Sequence, residues 1–259
     1  MTPGLALVPG APRIAVEATG RGPLVVFLHG IGGNRNHWQL QLAFFSQQGF
    51  RAAAWDARGY GDSDDYEGPL RFDDFTADLL RVVDHLGEEK AHVVGLSMGG
   101  RIARNFALQY PHRTLSLTLA NTSPGFDALS PEEVLKFVDE RRNRTPESTR
   151  RLLGSRARPG AHEALLASFH ALRNESYLKT LEASVAQDRA APLERLAVPT
   201  LVVTGDEDRV YPAGLAQKMA QRIPGARLVV LEGCGHLSNL EQPERFNEAL
   251  LGFFRATSA

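Results

Sequence analysis

The sequence predicts an α/β fold: a mostly parallel sheet covered by helices on both faces, with an all-helical insertion between two of its strands. Three observations carry this expectation. Short β-rich runs alternate with stretches whose apolar residues recur at helical spacing, before Asn121 and again after Pro199. The β-rich runs are apolar throughout rather than alternating, as strands buried on both faces of a parallel sheet must be. From Pro124 to about Arg195 no strand signal is present, only helical stretches rich in Glu, Arg, Leu and Ala, broken by Pro131, Pro146, Pro159-Gly160 and Pro192.

In chain order, strands are expected at Ile14–Val16, Leu24–Leu28, Ala52–Trp55, Ala91–Val94 and Leu115–Leu119. A helix is expected from His37 to Gln47. In a second, Phe72, Phe75, Leu79, Val82, Val83 and Leu86 form one apolar face. A third carries Ile102, Ala103, Phe106, Ala107 and Tyr110 at helical spacing and stops at Pro111. After the insertion the rhythm returns with a strand at Thr200–Val203, a helix around Leu215–Ile223, a strand at Leu228–Leu231 and a last helix with Phe246, Leu250 and Phe253 apolar. This divides the chain into a core of residues 1–123 and 197–259 and a helical cap of residues 124–196.

With 259 residues the chain can bury one large core with an insertion. A net charge of −1 and a charged fraction of 23% give no basic excess, so nucleic acid and anionic membranes are not expected partners. The single cysteine, Cys234, allows no intramolecular disulfide. The segment Met1–Pro9 lacks a positive n-region and its apolar run is broken by prolines, so no signal peptide is predicted and a cytoplasmic location is expected. No apolar stretch reaches the ~18–20 residues of a transmembrane helix.

Functional residues of an open parallel sheet gather where its strands end. Ala91–Val94 leads into Gly95-Leu96-Ser97-Met98-Gly99 and then a helix, the pattern of a nucleophile elbow that projects a serine hydroxyl into a pocket. Small neighbours are a physical requirement there, because strand and helix must close around a strained serine. His29-Gly30-Ile31-Gly32-Gly33 follows Leu28, Thr204-Gly205-Asp206-Glu207-Asp208 follows Val203, and Gly233-Cys234-Gly235-His236 follows Leu231. A nucleophile, two candidate carboxylates, a base and a glycine-rich loop therefore meet on one sheet edge. A serine hydroxyl needs a neighbouring imidazole to take its proton, which makes His236 the candidate general base, and a buried carboxylate to fix the imidazole tautomer, a role open to Asp206 or Asp208.

Other residues read as structural. His29 is expected to hydrogen-bond within its loop, and His37, His85, His92, His112, His162 and His170 to pack or face solvent. Gly59-Tyr60-Gly61 reads as a turn, without a phosphate-binding pattern around it. Arg141, Arg142, Arg144, Arg150, Arg151, Arg156 and Arg158, interspersed with Asp139, Glu140 and Glu147, read as a solvated helical face. Cys234 reads as a small buried filler without a second metal ligand nearby, and no metal or organic cofactor is expected.

Together, His29-Gly30, Asp56-Ala57-Arg58-Gly59-Tyr60-Gly61-Asp62-Ser63, Gly95-Leu96-Ser97-Met98-Gly99-Gly100, Gly205 to Pro212, and Gly235-His236-Leu237-Ser238-Asn239-Leu240-Glu241-Gln242-Pro243 resemble the α/β-hydrolase superfamily from about Leu24 to Phe254. The resemblance implies an eight-stranded, mostly parallel sheet, a lid or cap at the helical insertion, and a serine–acid–histidine triad in that chain order. The spacing Gly205-x-x-Asp208-x-x-x-Pro212 is similar to the superfamily's acid loop and favours Asp208 over Asp206. Oxyanion donors are implied at the backbone N–H groups of Ile31 and Met98. Among subfamilies the chain is most similar to 3-oxoadipate enol-lactonases and small esterases, which implies hydrolysis of a small ester or lactone. Ring-fission C–C hydrolases resemble it less, since a Ser-Gly-x-Gly-Pro-Gly oxyanion loop and an aromatic residue after His236 are missing. Cofactor-free haloperoxidases, and small-molecule receptors of the same descent, share such a triad.

Overall fold

The computed structural model describes residues 4–126, 129–189 and 191–257. Eight strands form one sheet: β1 (Gly4–Val8), β2 (Ile14–Gly20), β3 (Leu24–Leu28), β4 (Arg51–Trp55), β5 (Ala91–Leu96), β6 (Thr114–Ala120), β7 (Thr200–Gly205) and β8 (Arg227–Leu231). The spatial order is β1-β2-β4-β3-β5-β6-β7-β8. Pairing is antiparallel between β1 and β2 and between β2 and β4, and parallel throughout the rest. Seven strands fall on the predicted runs with ends extended by a few residues. β1 has no counterpart among them, because it is a largely exposed edge strand, with Leu5 at 51% exposure, bounded by prolines that mask its signal.

The continuous apolar strands have a simple cause. Along β3, Leu24, Val26 and Leu28 enter the core on one face of the sheet, whereas Val25 and Phe27 enter the core on the other. The first face is covered by α2 (Phe72–His85) and α3 (Met98–Gln109), through Phe75, Leu79, Val82, Ile102 and Phe106. The second is covered by α1 (Gln39–Gln47), through Leu42 and Phe45, and by the last helix, through Phe246, Leu250 and Phe254. The helix expected from His37 starts instead as a 3₁₀ turn at Arg35–Trp38, which Asn34 caps by accepting the Asn36 N–H.

Between β6 and β7 the described residues form helices and turns only: α4 (Pro131–Arg142), α5 (Pro146–Thr149), α6 (Ala161–Ala171) and α7 (Asn174–Gln187). Pro131 and Pro146 open helices rather than break them, each behind a capping Ser130 or Thr145. Asp188, just past α7, anchors this segment to α3 through ion pairs with Arg101 at 2.6 Å and Arg104 at 2.7 Å, all three side chains being buried. After β7 come α8 (Ala213–Arg222), then, beyond β8, α9 (Ser238–Glu241) and α10 (Pro243–Thr257). Among the described residues no helix is long and apolar enough to cross a membrane.

Candidate active site

Ser97 is the single residue between β5 and α3, with φ 55° and ψ −115°. That is a strained conformation for a residue with a side chain, and its neighbours dictate it. A Cβ on Gly95 would stand 2.1 Å from the Gly99 carbonyl oxygen, and one on Gly99 would stand 2.2 Å from the Leu28 oxygen. At residues 95 and 99 the backbones of β5, α3 and β3 thus approach too closely for any side chain. The Ser97 N–H donates to Ala120 O at 2.9 Å, and Ser97 O accepts the Thr122 hydroxyl at 2.7 Å, which ties the turn to the end of β6.

Asp208 and His236 meet across the ends of β7 and β8: Nδ1 of His236 donates to Asp208 Oδ2 at 2.9 Å, with Oδ1 at 3.1 Å. Oδ1 also accepts the N–H groups of Val210 at 2.8 Å and Tyr211 at 3.0 Å, and Oδ2 accepts Asn121 Nδ2 at 3.0 Å. Burial opposes ionisation of Asp208, but the imidazole and these donors outweigh it and hold the carboxyl below its ordinary range. Asp206 turns elsewhere, its Oδ1 accepting the Gly233 N–H at 2.7 Å. The carboxylate paired with His236 is therefore Asp208.

Three residues absent from the sequence-level site support this pair. Asn121, in the left-handed region at φ 45°, donates its amide to Asp208 and, at 3.0 Å, to Gly235 O. The Tyr211 ring meets the imidazole edge-on at 5.7 Å. Glu241 accepts the N–H groups of Gly154 at 2.7 Å, Gly235 at 2.8 Å and Leu237 at 2.8 Å, and its burial pushes its own carboxyl up. A quoted motif contains Glu241, but only the return of α9 against the loop reveals its targets.

The glycine-rich loop after β3 is held by His29, as expected. Nδ1 donates to Gly30 O at 2.8 Å and Nε2 accepts the Ala57 N–H at 3.0 Å, so the ring carries its proton on Nδ1. Gly59-Tyr60-Gly61 is a turn around the buried Asp56 carboxylate, which accepts the N–H groups of Arg35 at 2.7 Å and Asp62 at 2.9 Å. Cys234 is buried, and burial raises its thiol pKa.

Ser97, His236, Gly30 and Ile31 border one cavity of about 630 Å³, roofed by α4, α6 and the turns between them. The Met98 side chain is wholly buried in the core beneath it. Among the described residues no hydrogen bond joins the Ser97 hydroxyl to the imidazole; such contacts are often long before substrate binds and tighten in the Michaelis complex. His37 also borders the cavity, bonded through Nε2 to Ser168 Oγ at 2.8 Å, and burial lowers its pKa to about 3. The predicted solvated arginine face needs correction. Arg142, Arg150, Arg151 and Arg156 are exposed as expected, Arg151 at the cavity mouth, but Arg141 and Arg144 are half-buried in the cavity wall and Arg158 is half-buried against Leu240 O. Arg141 follows the buried Phe137 by one helical turn on α4 and so shares its inward face.

A family model described as alpha/beta hydrolase fold matches residues 23–243. The 3-oxoadipate enol-lactonase 2 of Acinetobacter baylyi is 30% identical over 234 residues, which cover 88% of this chain and 87% of the relative. A 2-hydroxy-6-oxononadienedioate/2-hydroxy-6-oxononatrienedioate hydrolase of Paraburkholderia phymatum is 32% identical over 260 residues, covering 93% of this chain and 90% of the relative. The C–C hydrolases thus stand beside the enol-lactonases in identity, despite the two missing motifs. Among solved structures, the enol-lactonase of Burkholderia xenovorans LB400 superposes with a TM-score of 0.85 at 27% identity, over 97% of this chain and 100% of that one. With the elbow, the sheet order and this match over most of its length in agreement, the chain belongs to the alpha/beta hydrolase fold family.

Proposed function

We propose that the protein hydrolyses a small carboxylic ester or lactone through an acyl-enzyme on Ser97, with His236 as general base and Asp208 as its orienting carboxylate. The observation that carries this reading is the 2.9 Å His236–Asp208 pair at the rim of the cavity that Ser97 borders. The pair fixes Nδ1 as the protonated nitrogen and leaves Nε2 as the acceptor.

In the first half-reaction Ser97 Oγ adds to the substrate carbonyl carbon while its proton moves to His236 Nε2. The tetrahedral oxyanion is received by the backbone N–H groups of Ile31 and Met98, and collapse breaks the C–O bond as the Nε2 proton passes to the leaving alkoxide. Water then attacks the Ser97 ester, giving its proton to Nε2 and releasing the acid. Residues 124–196 act as the cap, roofing the cavity and setting substrate choice.

The relative of C–C hydrolase name, at 32% identity, supports a second reading in which the same triad cleaves a vinylogous diketone. One panel of lactones, p-nitrophenyl esters and diketones separates the two, run with the wild type and Ser97→Ala alongside an organophosphonate probe. Ester or lactone turnover lost by several orders of magnitude in Ser97→Ala, with stoichiometric labelling at Ser97, is the expected result. Diketone turnover exceeding lactone turnover supports the second reading. Ligand binding without turnover or labelling sinks both and leaves a receptor.

A further inference from the structure

Four arginines line the cavity, Arg141, Arg144, Arg151 and Arg209, and two of them, Arg141 and Arg144, stack on aromatic rings of the wall. Arg141 lies 3.4 Å above the ring centroid of Phe137, and Arg144 lies 3.9 Å from that of Tyr177 and 5.4 Å from that of Phe169. Stacking of this kind fixes the guanidinium plane and leaves its N–H edge to bind something else.

Their protein partners are poor matches for that edge. Arg141 donates to Phe137 O at 3.3 Å, and Arg144 donates to Arg141 O at 3.5 Å, to Asn174 Oδ1 at 3.4 Å and to the Tyr177 hydroxyl. All are neutral oxygens, and the three carbonyl contacts are well beyond the ~2.7–2.9 Å of a charge-assisted hydrogen bond. Arg144 Nε is buried without any acceptor. By contrast, Arg222 reaches Glu194 at 2.7 Å and Arg156 reaches Glu232 at 2.8 Å. Of the acids on the cavity rim, Glu140 reaches Arg141 through its charge alone and sits 4.0 Å from Lys136, while Asp139 accepts Asn143 Nδ2 at 2.7 Å, so neither hydrogen-bonds a guanidinium edge. Among the described residues neither Arg141 nor Arg144 forms an ion pair. An enclosed guanidinium without a hydrogen-bonded carboxylate is costly, and a binding cavity is where a ligand can supply one.

We propose that Arg141 and Arg144 form a carboxylate subsite, so that the substrate is an ester or lactone bearing a free carboxylate that docks on them while its carbonyl lies over Ser97. Two stacked, planar forks suit the planar, bidentate carboxylate. Leu96, Leu165, Leu172, Val210 and Leu237 line the cavity as well, which suits an apolar body between the two polar ends. The proposal rests on the Ser97 hydrolase reading, and its test is arranged to separate the two.

The mono-p-nitrophenyl esters of glutaric, adipic and pimelic acid are compared with p-nitrophenyl pentanoate, hexanoate and heptanoate. For at least one pair the wild type is expected to favour the anion in kcat/KM by about tenfold or more, as one charged hydrogen-bonded contact supplies. Arg141→Met and Arg144→Met should each cut that preference by about tenfold, mainly through KM, and Arg144→Lys should keep part of it because charge survives without the fork. Calorimetry of the free dicarboxylates on Ser97→Ala, with and without Arg141→Met, reads the subsite without turnover. Arginine-dependent dicarboxylate binding with no ester hydrolysis in the wild type would retain the subsite and discard the hydrolase. Ester hydrolysis with no anion preference, or a preference unchanged in both methionine variants, would overturn the subsite and leave the hydrolase standing. Displacement by inorganic phosphate but by none of the dicarboxylates would overturn the carboxylate assignment.

Discussion

The Glu241 carboxylate straddles His236, accepting the N–H groups of Gly235 and Leu237 on either side of it at 2.8 Å each. With Gly154 as a third donor at 2.7 Å, one buried side chain sets the backbone that carries the imidazole and binds it to the helical segment above. In the proposed mechanism Glu241 is a positioning residue. Glu241→Gln places an amide N–H₂ against one of these donors, and kcat is expected to fall about ten- to a hundredfold with KM little changed, the scale of a misplacement near 1 Å. The organophosphonate labelling rate of Ser97 should fall in proportion. A variant that merely loosened the fold would lower Tm and leave that rate intact.

Asn121 serves the same pair from β6, and its positive φ lets backbone and side chain be tested apart. Asn121→Gly keeps the backbone conformation and removes the amide, so it should lower kcat with little loss of stability. Asn121→Ala should add about 1 kcal/mol of destabilisation from the left-handed backbone, read in urea melts. Equal stability of the two variants would contradict the strain assigned to this position.

Gly95 and Gly99 are fixed by sterics rather than chemistry. Since an added Cβ meets backbone oxygen at 2.1 Å or 2.2 Å, no rotamer can relieve the clash. Gly99→Ala should destabilise the protein by more than about 3 kcal/mol or prevent soluble expression, measured by thermal melts beside Gly252→Ala, which meets open space.

Acid should unfold the protein through its buried imidazoles. Burial lowers His37 to about 3 and His92 to about 4, both below the ordinary 6.5, so the unfolded chain takes up protons that the folded one refuses. The stability this confers is complete above the unfolded value and is lost as pH falls, at about 1.4 kcal/mol per pH unit per group until the folded value is reached. Urea melts between pH 7 and 4 should show this slope, and His37→Gln should reduce it by one proton. An unchanged slope would mean that His37 is protonated in the folded state.

The Asp188 carboxylate is shared by Arg101 and Arg104 in the interior and ties the end of α7 to the helix that begins beside Ser97. Asp188→Asn removes the carboxylate that two buried cations share, with an expected cost of about 3–5 kcal/mol. Proteolysis within residues 129–189 should accelerate before global unfolding if this pair holds the segment down.

By itself the sequence determined the layered α/β architecture and named the short list of candidate reactive groups, because both are written locally. Burial on both sheet faces demands unbroken apolar runs such as Leu24–Leu28, and the tight approach of β5, α3 and β3 admits only glycine at residues 95 and 99. β1 escaped notice because an exposed edge carries no such demand. Tertiary structure alone decided which partners those groups find. Asp206 and Asp208 stand two residues apart in the same loop, yet one caps Gly233 and the other meets His236. Arg141 looks like its solvated neighbours until α4 packs its Phe137 face over the cavity. Asn121 and Glu241 gain their roles from contacts 87 and 6 residues away along the chain. The physical reason is that a hydrogen bond or ion pair depends on position to within tenths of an ångström, and the closure of the chain on itself, rather than any run of letters, sets that position.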